Sequence, residues 1–134
     1  MTSAHAVFDA NVFVRAAIDG HARALEWLEA AERGDVHLLV PDLVWAEVGQ
    51  ALKNYVGAGV ISVEQASGVA STLATSTAED RSLRSLLPAA LSTALRFDLT
   101  VYDACYYALA AAADAVLVTF DRHLAVYERA ELLA

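Results

Sequence analysis

Short apolar runs alternate with segments of helical period along the whole chain. Ala6 to Phe8 is apolar and β-prone, and Asp9-Ala10-Asn11 ends it. Asn11 to Ala17 reads as a helix. A second helix is predicted from about His21 to Arg33, where Ala24, Leu25, Leu28 and Ala31 recur on one face. Gly34-Asp35 closes it, and His37 to Val40 reads as a buried strand ended by Pro41. Asp42 is placed to cap a third helix, Leu43 to about Tyr55, whose apolar stripe is Val44, Val48, Ala51, Leu52 and Tyr55. Gly57-Ala58-Gly59 breaks the chain. Ser62 and Gln65 then have the spacing of a capping box, opening a fourth helix to about Leu73. The stretch from Thr75 to Arg84 fits neither period well and is read as a short strand near Glu79 to Leu83. A fifth helix is predicted over Leu86 to Phe97, with Pro88 in its first turn, where a missing N–H is tolerated. A sixth follows from Val101 to Ala113. Val116 to Thr119 is the clearest strand, and Arg122 to Glu128 reads as a last short helix.

Strands that alternate with helices imply an α/β fold, a parallel sheet covered by helices on both faces. In such sheets the functional crevice lies beyond the carboxyl ends of the strands, where strand order reverses. Two aspartates stand at strand ends. Asp9 follows the first strand directly, and Asp121 follows Val116–Thr119 with only Phe120 between. Each also sits where an aspartate caps the helix behind it, and either role explains one residue alone.

Asp103 is the only charged side chain between Val101 and Ala113, in a helix apolar enough to be buried. A buried carboxylate without a partner is costly, and no lysine or arginine lies within a turn. Thr100 and Asp103 also fit a Thr-x-x-Asp cap, which is compatible with a metal role. Glu47 stands at the edge of the third helix's buried stripe, as an ordinary boundary residue also would. Taken together, the four form an acidic, all-oxygen set, suited to Mg²⁺ or Mn²⁺ rather than zinc or copper.

Composition changes the picture in three places. A chain of 134 residues, 57% hydrophobic and 19% charged, suits one well-buried domain spanning 1–134. Its longest apolar run, Ala104 to Ala113, is about half of a bilayer crossing, and the N-terminus lacks a leader pattern, so a cytoplasmic protein without membrane contact is expected. The single cysteine, Cys105, rules out a disulfide within the chain and a thiolate zinc site; it reads as a small core residue. The net charge of −8 argues against a nucleic-acid partner. That objection weakens once an ion neutralises the four acids, for 17 − 4 leaves 13 acidic against nine basic residues.

The stretches that hold these residues resemble the successive motifs of PIN domains. They are Val7-Phe8-Asp9-Ala10-Asn11-Val12, Pro41 to Val48, Leu99 to Ala110, and Leu117 to Leu124. More narrowly they resemble the VapC toxins of bacterial toxin–antitoxin pairs. Order, spacing and length agree over essentially the whole chain. The resemblance implies a three-layer fold with a mainly parallel sheet of about five strands. It implies that Asp9, Glu47, Asp103 and Asp121 hold one or two Mg²⁺ or Mn²⁺ ions, supported by Asn11 and Thr119. It further implies cleavage of structured RNA such as tRNA or ribosomal RNA, a homodimer, and silencing by a VapB-like antitoxin whose tail enters the site. Arg15, Arg84, Arg96 and Arg122 are the basic residues to test for phosphate contact.

Other acidic-pocket folds fit the sequence less well. A haloacid-dehalogenase-type phosphotransferase needs Asp-x-Asp after the first strand and a late lysine; here Asn11 takes the second position and Lys53 is the only lysine. A response-regulator receiver needs a lysine after its last strand, which this chain does not have. A non-catalytic PIN-like binding module and a PIN nuclease of RNA maturation stay open. His5, His21, His37 and His123 show no ligand spacing, and Trp27, Trp45, Tyr102, Tyr106 and Tyr107 read as core or dimer contacts.

Overall fold

A computed structural model describes residues 4–134. The elements run β1 (Ala4–Phe8), α1 (Ala10–Val14), a π-helical turn (Arg15–Asp19), α2 (Ala22–Glu32), β2 (Val36–Pro41), α3 (Leu43–Gly57), α4 (Val63–Leu73), β3 (Glu79–Arg81), α5 (Leu83–Phe97), α6 (Val101–Ala113), β4 (Val116–Thr119), a 3-10 turn (Arg122–Val126) and β5 (Ala130–Leu132). All strand pairs are parallel, in the order β3-β2-β1-β4-β5. The chain builds outward from β1 through β2 to β3, then returns to the other side of β1 for β4 and β5. Strand order therefore reverses between β1 and β4, where Phe8 pairs with Val118.

The centre of this sheet is dry. Ala6, Val7, Phe8, Leu117, Val118 and Thr119 have no exposed surface. Continuous apolar strands are what a sheet covered on both faces requires. From α6, Ala104, Cys105, Tyr106, Ala108, Leu109 and Ala110 join the core, Cys105 as the small buried residue expected. No helix among the described residues is long and apolar enough to cross a membrane.

Several boundaries differ from the sequence reading, each for a local reason. Asp42 does not cap α3; its Oδ1 accepts from the N–H of Leu83 at 3.2 Å, tying the ends of β2 and β3 together. With Ser82 accepting from the Ser85 N–H at 3.1 Å, that bond starts α5 at Leu83 rather than Leu86. Pro88 consequently lies in the second turn, not the first. Beyond β4 the chain leaves helical geometry at Tyr127, and Ala130–Leu132 adds an edge strand the pattern did not disclose. The Ser62–Gln65 capping box is made in full, with bonds of 2.8 and 3.1 Å.

Candidate metal centre

Asp9 is the first residue beyond β1, and its N–H reaches across to the Val118 carbonyl at 3.2 Å. Its carboxylate does two jobs at once. Oδ1 accepts from the Val12 N–H at 3.3 Å and caps α1. Oδ2 accepts the Thr119 hydroxyl and, at 3.3 Å, the Phe120 N–H. The residue is only 7% exposed. Burial pushes its carboxyl up to about 6, although these hydrogen bonds favour the ionised form.

Thr119 links the two strand-end aspartates. Its buried oxygen, which donates to Asp9, also accepts from the Asp121 N–H at 2.9 Å. Asp121 in turn accepts from the His123 N–H at 2.9 Å and so starts the 3-10 turn. Both aspartates thus cap the turn behind them and are joined through Thr119.

Two helices supply the other acids. Thr100 accepts from the Asp103 N–H at 3.1 Å, setting Asp103 in the first turn of α6. Burial raises its carboxyl, and the charge of Asp121 raises it further. Glu47, on α3, accepts a hydrogen bond from the Tyr106 hydroxyl, which reaches it from α6. Burial raises the Glu47 carboxyl, Asp103's charge adds to this, and the Tyr106 bond opposes both. The Tyr106 phenol is itself buried and displaced far upward by that burial and by Glu47.

Asp9, Glu47, Asp103 and Asp121 all line one cleft of about 90 Å³, with Ala10, Asn11, Tyr106 and Leu124. It opens beyond the carboxyl ends of β1 and β4, at the switch point of the sheet. No lysine or arginine lines it, and among the described residues none forms an ion pair with any of the four. The protein has gathered negative charge without an internal counter-charge. A hard divalent cation fits that donor set, and its charge would reverse the upward pull on the carboxyls.

The PIN domain family model matches residues 6–130 of the sequence. The chain belongs to the PIN domain family. No curated protein matches it. Among solved structures, the Pyrobaculum aerophilum protein PAE2754 is similar at 26% identity and a TM-score of 0.70, over 92% of this chain and 79% of that one. A toxin–antitoxin complex from Klebsiella pneumoniae aligns at 20% identity and a TM-score of 0.70, covering 94% of this chain and 95% of its own. VapBC2 from Rickettsia felis, bound to a DNA fragment from its promoter, aligns at 14% identity and a TM-score of 0.73, covering 97% and 99%. The last two likenesses are of fold.

Of the supporting residues read from sequence, Asn11 lines the cleft of this PIN domain and Thr119 lies beneath it. The four arginines do not line it. Arg15 pairs with Asp19 at 2.7 Å and lies over the Phe120 ring at 4.5 Å. Arg96 lies over Phe97 at 4.9 Å, while Arg84 and Arg122 are exposed. Two residues with no functional signal in the sequence also reach the centre. Tyr106 holds Glu47, and His123 brings a ring nitrogen to 3.0 Å from Asp121. Size does not mark the PIN site: a hollow of about 660 Å³ lies elsewhere, lined by Ile18, Leu28, Val69 and Leu73, with Glu32 as its one acid.

Proposed function

We propose that this PIN domain is a metal-dependent endoribonuclease of the VapC toxin type, using Mg²⁺ with Mn²⁺ as a substitute. The observation that carries the reading is the cleft in which four carboxylates meet with no basic side chain. Asp9, Glu47, Asp103 and Asp121 would hold the ion. When bound, it supplies charge neutralisation and Lewis acidity at a phosphodiester.

The chain's own residues would do the rest. Thr119, Val12 and Phe120 hold Asp9 rigidly, so its carboxylate orients an attacking water instead of following it. Asp9 or Asp121 would take that water's proton as it attacks phosphorus in line with the 3′-oxygen. The products would carry 5′-phosphate and 3′-hydroxyl ends. Tyr106 fixes one oxygen of Glu47 and leaves the other for the cleft. Arg122, next to Asp121, is the best placed of the exposed arginines to meet a flanking phosphate of tRNA or ribosomal RNA.

The fold likeness to the Klebsiella toxin–antitoxin complex and to Rickettsia VapBC2 supports a VapB-like antitoxin partner, and the proposal places the protein in the cytoplasm. For a homodimer, the exposed Leu87, Leu91 and Leu95 of α5 offer an apolar surface. The purified protein should cleave tRNA or ribosomal RNA with added Mg²⁺ or Mn²⁺ and stop with chelator or with Asp9→Asn. Expression alone should arrest growth, and Asp103→Ala should relieve it. Cleavage that ignores both chelator and Asp9→Asn would overturn the mechanism.

A further inference from the structure

An all-oxygen centre is what the four acids alone would make. The structure adds a fifth group. Asp121, Arg122 and His123 open the 3-10 turn, and the His123 N–H bonds to Asp121 Oδ1 at 2.9 Å. The turn brings the imidazole back over the same carboxylate, with Nδ1 at 3.0 Å from Oδ1. One donor atom each from Asp103, Asp121 and His123 lie within 4.8 Å of one another. We infer that His123 supplies a nitrogen donor to the ion held by Asp103 and Asp121, which tilts this centre toward Mn²⁺ and similar transition ions over Mg²⁺. The inference rests on the proposal that the cleft holds a divalent ion.

The three donors are close enough for one ion to draw them together. With bonds of about 2.1 Å, adjacent octahedral ligands are about 3.0 Å apart and opposite ones about 4.2 Å. The N···O distance of 3.0 Å between His123 and Asp121 matches an octahedral edge. The three donors reach this point from the start of α6 and from the turn after β4, so two separate segments converge on it. Among the described residues His123 has no other engagement: its side chain is 81% exposed, and it hydrogen-bonds there to Asp121 alone. Replacing one oxygen by an imidazole nitrogen matters little to Mn²⁺. It disfavours Mg²⁺, which takes oxygen ligands and holds its water tightly.

The test uses the whole chain, freed of metal and given one equivalent of Mn²⁺. Pulsed electron paramagnetic resonance should show coupling of the manganese spin to a ¹⁴N nucleus in the wild type and none in His123→Ala. By calorimetry the variant should bind Mn²⁺ about tenfold or more weakly, since even loss of an outer-shell partner costs that much. Its Mg²⁺ affinity should change far less. His123→Asn keeps a hydrogen-bond donor toward Asp121 but removes the imidazole, and should behave like the alanine variant. If it keeps the wild-type preference for Mn²⁺, His123 serves Asp121 only as a hydrogen-bond partner, and the inference falls. Bound Mn²⁺ without nitrogen coupling also overturns the inference and leaves the carboxylate centre standing. A wild type that binds no Mn²⁺ overturns both.

Discussion

Asp9 is buried, and the proposed metal role also needs it ionised. The carboxyl loses its proton near the ordinary 3.8 in the unfolded chain, but at about 6 in the folded one. Between these values the folded chain holds a proton the unfolded chain has lost. Stability contributed by Asp9 is therefore full below about pH 4 and falls as pH rises to about 6. A gap from 3.8 to about 6 corresponds to on the order of 3 kcal/mol. In chelator, urea unfolding should show wild type losing stability over this range relative to Asp9→Asn, which cannot ionise. Parallel profiles for the two proteins would refute the burial argument. Added Mg²⁺ should restore much of the loss at neutral pH, because the cation replaces the proton. Three of the four acids stand out locally in the sequence, Asp9 and Asp121 after apolar strands and Asp103 inside an apolar helix, whereas Glu47 looks like an ordinary boundary residue and is singled out only by the resemblance to PIN domains. Tyr106 and His123 break no local pattern. A tyrosine inside an apolar helix looks like core, and only the fold sets its hydroxyl against a glutamate 59 positions away.

Elements whose signal lies within their own residues were readable, and those defined by a neighbour were not. The Ser62–Gln65 box and the dry β4 needed only local reading. β5 has three residues, and its bonds go to β4, including Leu133 N–H to the Thr119 carbonyl at 2.7 Å. Nothing in Ala-Glu-Leu specifies that edge. The start of α5 was misplaced for a similar reason, since Asp42, 41 positions earlier, helps to set it. The consequence is an internal strain point. Pro88 sits inside α5, where it removes one helical hydrogen bond and crowds the carbonyl a turn before it. Pro88 is exposed, so Pro88→Ala should stabilise the chain by about 1–3 kcal/mol in urea unfolding. A neutral or destabilising result would mean that α5 begins later, with the proline in its first turn as the sequence pattern had it.

At the scale of the whole molecule, topology does what no segment can. Phe8 and Val118 are 110 positions apart in sequence, yet their pairing sets Asp9 and Asp121 over one crevice. α3 and α6 then lean Glu47 and Asp103 into it from the sides. The four acids account for part of the net charge of −8, so under the proposed function attraction of RNA would fall to the metal-loaded centre and the exposed arginines. The most direct measurement is anomalous scattering from a crystal of the wild-type protein soaked in Mn²⁺. The account predicts a manganese peak in the cleft, within about 2.0–2.4 Å of carboxylate oxygens of Asp9, Glu47, Asp103 or Asp121. A fully soaked crystal with no peak there, or with its strongest peak on another part of the surface, would contradict it.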